Sequence, residues 1–197
     1  MVVSTERGDM LTVTRASLLS LRAALLRSGD AQAAVTLQEA GYAGGAALFE
    51  SFRQWLAERT HVGVEDLDVD AFQHRASEYF SETGWGTLNV GTIDEVVATL
   101  DSPDWGECDP NLGAQQPSCH LTTGMFADLF GRLAGAPVAV LEVECRSAGQ
   151  DRCRFLVGSP DVMDAVYEEM GRGKDYEAAV RAQATGSASS EPGAQSI

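Results

Sequence analysis

Residues 137–158, PVAVLEVECRSAGQDRCRFLVG, hold two apolar runs on either side of a short polar connection. The runs PVAVLEVEC and RCRFLVG are rich in Val, Leu and Phe. The connection RSAGQD carries a glycine and polar residues. Such a pattern predicts two strands joined by a turn, an antiparallel pair. Immediately upstream, CHLTTGMFADLFGRLAG (119–135) places Leu121, Met125, Phe126, Leu129, Phe130 and Leu133 at helical spacing. Ser118 is positioned to cap that helix, Gly135 to end it and Pro137 to block its continuation. Before it lies a Gly-, Pro- and Asp-rich loop, SPDWGECDPNLGAQQP (102–117). Earlier still, TLNVG (87–91) and EVVATLD (95–101) read as a second strand pair, with Gly91 to Asp94 as its turn.

Helices flank these strands. Residues 11–28 repeat Leu18, Leu19, Leu21, Leu25 and Leu26 at helical spacing, and Asp30 can cap the helix that follows. That second helix, about 31 to 59, is interrupted by Gly41, Gly44 and Gly45, each costing roughly 1 kcal/mol relative to Ala. Such a helix implies that something lies close to its backbone, either another helix or a ligand. A third helix is expected over 66–82, then a GWG break at 84–86, and two closing helices over 160–170 and 174–183. The final stretch, TGSASSEPGAQSI, is of low complexity and is expected to be disordered. The pattern gives an α+β fold with a mostly antiparallel four-stranded sheet packed with helices. Three segments follow: a helical part over 1–83, a core with the cysteines over 84–172, and a helix end with the tail over 173–197.

Composition narrows the function. The 197-residue chain is long enough to bury a core without disulfides. Its net charge of −15 repels nucleic-acid phosphates and anionic lipid, so no nucleic-acid partner is expected. The N-terminus MVVSTERGDM has no apolar run of the kind a secretory signal needs, and no stretch is long enough to span a membrane. A cytoplasmic location is expected, where thiols stay reduced. Four readings of Cys145 and Cys153 then stand open: a disulfide, a redox pair, buried structural thiols, or half of a metal site. Zinc needs further ligands. Cys119, at a helix N-terminus that favours a thiolate, is the third candidate. Glu142 and Glu144 can each supply an oxygen, and Cys108 and His120 are the remaining alternatives.

GWG, then PSCH opening a helix, then GAPVAVLEVECRSAGQDRCRFLV together resemble the 4-vinyl reductase (4VR) domain family over about residues 84–157. That family includes proteins linked to bacteriochlorophyll synthesis and the sensory domains of phenol-responsive transcription activators. The resemblance implies a fold like the small TRAPP vesicle-tethering subunits, a homodimer, and a pocket for a hydrophobic small molecule. It also implies a structural zinc held by Cys119, Glu142, Cys145 and Cys153, with Glu144 as the alternative to Glu142. In a flat strand Glu142 and Cys145 would face opposite sides, so the strand must twist or bulge between them. Cys108 has no counterpart in the pattern and reads as a loop thiol.

The expected function is a stand-alone module that binds an aromatic compound, a lipid-like molecule or a tetrapyrrole, as sensor or carrier. The pocket is expected between the small-residue helix and the sheet, lined by Gly44, Ala47, Phe49, Trp55, Phe72 and Phe126. The tryptophan that phenol-sensing members carry in the second strand is missing from VVATLDS. A closed four-ligand site is structural, and no nucleophile triad, GxGxxG or P-loop is present, so an enzyme is not expected. Two alternatives stand beside this one. The first is a reductase or accessory protein in tetrapyrrole synthesis, and the second is a TRAPP-like interaction scaffold.

Overall fold

Two apolar faces on one strand organise the molecule. The computed structural model describes residues 10–27, 31–94 and 96–187. Its elements run α1 (Arg15–Leu26), α2 (Ala31–Thr60), α3 (Val69–Glu82), β1 (Asn89–Ile93), β2 (Val97–Ser102), α4 (His120–Ala134), β3 (Ala139–Glu144), β4 (Cys153–Gly158), α5 (Pro160–Gly171) and α6 (Tyr176–Ser187). The strands form one sheet in the order β1-β2-β4-β3, every neighbouring pair antiparallel. This is the α+β class read from the sequence. On central β4, Cys153, Phe155 and Val157 face a large core shared with α2, α3 and α4, while Leu156 faces a second core made with α5 and α6. The strand is therefore covered on both faces, which is why RCRFLVG is apolar almost throughout.

The larger core runs across the boundary between residues 83 and 84. Leu48, Phe52 and Trp55 of α2 and Tyr79 and Phe80 of α3 share it with Leu100, Phe126 and Phe155. Its rings meet mostly edge to face, with Phe126 5.4 Å from Phe155 and 5.7 Å from Phe80, an arrangement that aromatic quadrupoles favour.

α4 lies between α2 and the β3 side of the sheet. The small-residue pattern is the signature of its crossing with α2. A Cβ added to Gly41 would sit 1.9 Å from the Leu121 carbonyl oxygen, and one added to Gly124 would sit 1.9 Å from that of Gln38. The backbones touch directly. Gly45 stands against Asp128 in the same way, whereas a Cβ added to Gly44 would meet nothing within 4 Å.

α1 departs from the amphipathic reading. Leu21 is 67% exposed and Leu25 42%, while Arg22 is buried to 1%. Arg15 and Arg22, two turns apart on one face, point inward, and their guanidinium groups bind backbone carbonyls of the 105–118 region. An apolar stripe gives a helix, but it does not say which stripe faces in when a buried acid awaits a cation. Smaller shifts occur at ends. β1 runs on through Ile93, so the turn is Asp94 to Val96 rather than Gly91 to Asp94. α3 begins at Val69, where the Asp68 side chain accepts from the Ala71 N–H. The Asp30 cap and the tail beyond residue 187 lie outside the described residues.

Candidate metal centre

A slip in the register of β3 builds the site. Glu142 pairs with Phe155, and Glu144 pairs with the next residue back, Arg154, so Val143 is the extra residue of a bulge. The bulge resets the alternation. Glu142 and Cys145, three apart, now face the α4 side together. Glu144 turns away, accepting from Arg152 at 2.8 and 3.0 Å and from the Tyr176 hydroxyl. Glu144 is thereby committed elsewhere, which separates it from Glu142. After Cys145 a short 3₁₀ turn, Arg146–Ala148, closes at Gly149 with φ 89°, and the chain returns at Cys153.

The structure brings Cys119, Glu142, Cys145 and Cys153 together, one ligand atom from each lying within 4.8 Å of every other, all buried. All four cysteines of the chain are free thiols. Cys119 and Cys145 sulfurs are 3.8 Å apart. Cys119 begins α4, and its N–H donates to Glu142 Oε2 at 2.7 Å. The other oxygen, Glu142 Oε1, is buried without a hydrogen-bond partner. A buried carboxylate oxygen with no donor is costly, and three adjacent sulfurs are what a soft cation would share with it. The donor set fits a zinc-like ion.

Electrostatics agree with that fit. Burial, and then the Cys145 thiol beside it, push the Glu142 carboxyl up to about 9. The thiols of Cys108, Cys119 and Cys153 hold the Cys145 sulfur well below the ordinary thiol range by donating to it. Hydrogen bonding to Cys145 raises Cys119. Cys153 is raised on balance, by the Cys119 and Cys145 thiols and by burial, against an opposing hydrogen bond with Cys108. Protein groups alone thus favour one thiolate among protonated neighbours. A divalent cation inverts this order and draws the remaining protons off.

A polar ring supports the cluster, and sequence reasoning missed it. Glu107, fully buried, accepts from the N–H groups of Leu121 and Thr122 at 3.1 and 2.7 Å and from the Thr122 hydroxyl at 2.6 Å. Glu107, not the expected Ser118, therefore caps α4. Ser118 instead gives its carbonyl and hydroxyl to Arg22, whose Nε stands 3.4 Å from Glu107 Oε1. Trp105 Nε1 donates to Thr122 Oγ1 at 2.7 Å. No spacing rule points to Glu107 or Arg22, because the two partners come from distant parts of the chain. Cys108 is the other surprise. It is not a surface loop thiol: it is fully buried, it accepts from the Ser147 hydroxyl at 3.4 Å, and its thiol interacts with those of Cys145 and Cys153.

The residues expected to line a pocket are distributed differently. Trp55 and Phe126 are buried in the aromatic core, with Phe49 and Phe72 packed against it. Ala47 is half-buried and Gly44 is exposed. Two surface grooves, of about 320 and 350 Å³, lie elsewhere, one along α3 and β1 by Ser77 and Asn89, the other by Tyr42 and the end of α4. Neither is lined by these six residues. No helix among the described residues is long and apolar enough to cross a membrane.

Comparisons with known proteins place this geometry. Residues 107–159, which include all four cysteines and Glu142, match the family model of the vinyl-4-reductase domain. An uncharacterized protein of Methanocaldococcus jannaschii is 29% identical over 80 residues, 41% of this chain. The match spans 42% of that relative's length. Among solved structures, the phenol-responsive sensory domain of the transcription activator PoxR, crystallised with phenol, is similar with a TM-score of 0.56 at 19% identity over 75% of each chain. Subunit 3 of a trafficking protein particle complex from Naegleria fowleri, covalently bound to palmitic acid, is similar with a TM-score of 0.56 at 13% identity. That likeness covers 73% of this chain and 91% of that one. The fold is thus the TRAPP-like one, and the resemblance read from the cysteine hairpin holds over the matched stretch.

Proposed function

We propose that this chain is a small-molecule-binding module of the 4-vinyl reductase type, clamped by a structural zinc on Cys119, Glu142, Cys145 and Cys153. The observation that carries the metal is the convergence of those four buried donors, with one Glu142 oxygen otherwise unpartnered. With three thiolates and a carboxylate on the ion no position is left for water, so the ion holds structure and does no chemistry. It ties the start of α4 to the β3–β4 hairpin, and so fixes one wall of the aromatic core.

The ligand reading rests on likeness to a sensory domain that holds phenol and on one feature of α2. The Ser51 hydroxyl is buried without a hydrogen-bond partner, one residue before the core ring of Phe52. A mostly apolar site with one such polar handle suits an aromatic or lipid-like molecule. Phe49, Trp55, Phe72 and Phe126 are its proposed walls, reached by a shift of α2 and α3, with Gly44 and Ala47 at the rim. Exposed Leu21, Leu25, Val35 and Tyr42 on α1 and α2 are the proposed surface for a homodimer. A scaffold role is favoured instead if the close packing of the rings never opens.

Native mass spectrometry of protein from its own host, with elemental analysis, tests both halves. One zinc per chain and a bound apolar mass are expected. Cys119→Ser, Cys145→Ser and Cys153→Ser should each lose the metal. A folded wild-type protein with every thiol free and no metal would refute the centre. Failure of any apolar dye or aromatic compound to bind would leave the scaffold.

A further inference from the structure

We infer that Cys108 is a fifth donor of this centre, exchanging with Glu142, so that one cation is held either by three thiolates and a carboxylate or by four thiolates. The inference rests on the metal reading above and concerns which of its donors are in use.

Cys108 is placed as a built part of the site. It comes from the first half of the loop that leaves β2, well before the chain reaches Cys119. That part of the loop is tied down from two sides. Arg15 donates to the carbonyls of Trp105, Gly106 and Cys108 at 3.1, 3.0 and 2.9 Å. The Asp109 N–H donates to the Ser147 hydroxyl at 3.0 Å, and the Ala114 N–H to the Ser147 carbonyl at 2.8 Å. The Cys108 side chain is fully buried and adjoins the thiols of Cys145 and Cys153, two of the proposed ligands. Five donors therefore meet at a place where a tetrahedral ion uses four.

Each of the competing donors has a resting partner. Off the metal, Cys108 keeps the Ser147 hydroxyl as a hydrogen-bond donor to its sulfur. Glu142 keeps the Cys119 N–H at 2.7 Å on Oε2. Neither is stranded when the other takes the ion. The exchange balances: the metal–oxygen bond to Glu142 breaks, a metal–sulfur bond to Cys108 forms, and the Cys108 thiol proton passes to the freed carboxylate. The charge on the site does not change, so the exchange adds no uncompensated charge to a buried cluster. A four-sulfur arrangement also favours softer ions than a mixed one does.

Cadmium is the probe, with sulfur donors counted by X-ray absorption and by cadmium-113 NMR on wild type, Glu142→Gln, Cys108→Ser and the double variant. Glu142→Gln should keep one cadmium per chain with four sulfurs. Cys108→Ser should keep it with three. The double variant should bind roughly 10–100-fold more weakly than either single variant. Three sulfurs in Glu142→Gln, or a loss in that variant equal to the loss in the double, overturns the inference. If Glu142→Gln does not fold, Glu142→Asp replaces it, and the same counts decide. Wild type that takes up no cadmium overturns the metal reading together with this one. Wild type that binds cadmium, with Cys108→Ser silent in the Glu142→Gln background, overturns this one alone.

Discussion

Arg22 and Glu107 show how much one buried pair carries. Their side chains are 1% and 0% exposed, and Glu107 also accepts the first free N–H groups of α4. Burial raises the Glu107 carboxyl, and the Thr122 bonds and the Arg22 charge oppose that rise. Removing one partner strands the other. Arg22→Ala is expected to cost about 3–5 kcal/mol, the usual penalty for an uncompensated buried charge. Arg22→Met combined with Glu107→Gln should cost less than the two single changes added together. Urea unfolding of the three variants measures this, and strict additivity would refute the coupling. The same residue scale explains why Glu144 is no ligand: Arg152 and Tyr176 already occupy both its oxygens.

At the scale of elements, the crossing of α2 over α4 sets the position of the metal cluster, because Cys119 opens α4. The crossing works through absent side chains. Gly41→Ala drives a methyl into the Leu121 carbonyl, and an overpacked contact of this kind costs about 1–3 kcal/mol. Gly44→Ala meets nothing within 4 Å, so it should be neutral or stabilise by up to about 1 kcal/mol through helix propensity. Thermal melts of the two variants should move in opposite directions or differ clearly in size. Equal shifts would mean that the close approach is not what Gly41 serves.

For the whole molecule, the cation and the fold are linked through protons. Glu142, Cys119 and Cys153 are all raised and Cys145 is lowered, so at neutral pH uptake of a divalent cation should release about three protons, one from each raised group. Because protons compete for those donors, occupancy falls as pH falls and rises as pH rises. Calorimetry in two buffers of different ionisation enthalpy gives the proton count, and a count near zero would refute the protonation pattern. Chelation at neutral pH should lower the melting temperature, since the ion bridges α4 and the β3–β4 hairpin, two parts joined otherwise by packing. The exchange between Glu142 and Cys108 leaves the count unchanged.

Periodicity in the chain was enough to locate α2, α4, both hairpins and the α+β class. Those signals are local: apolar spacing in CHLTTGMFADLFGRLAG, alternation around RSAGQD, and Gly135 and Pro137 as stops. Cys119, Glu142, Cys145 and Cys153 were legible as a set through a family pattern, and the bulge their spacing demanded is present between Glu142 and Glu144. Tertiary structure alone decided the rest. Whether the glycines of α2 meet a helix or a ligand depends on what lies across from them, and α4 lies there. Which face of α1 turns inward was decided by Glu107, far along the chain, whose burial requires a cation and draws in Arg22 against the pull of the leucine stripe. Cys108 reads as a loop thiol until the fold lays its loop against the hairpin. Local spacing fixes an element's period, but the partners of buried charge and sulfur come from distant segments, and only chain packing brings them within reach.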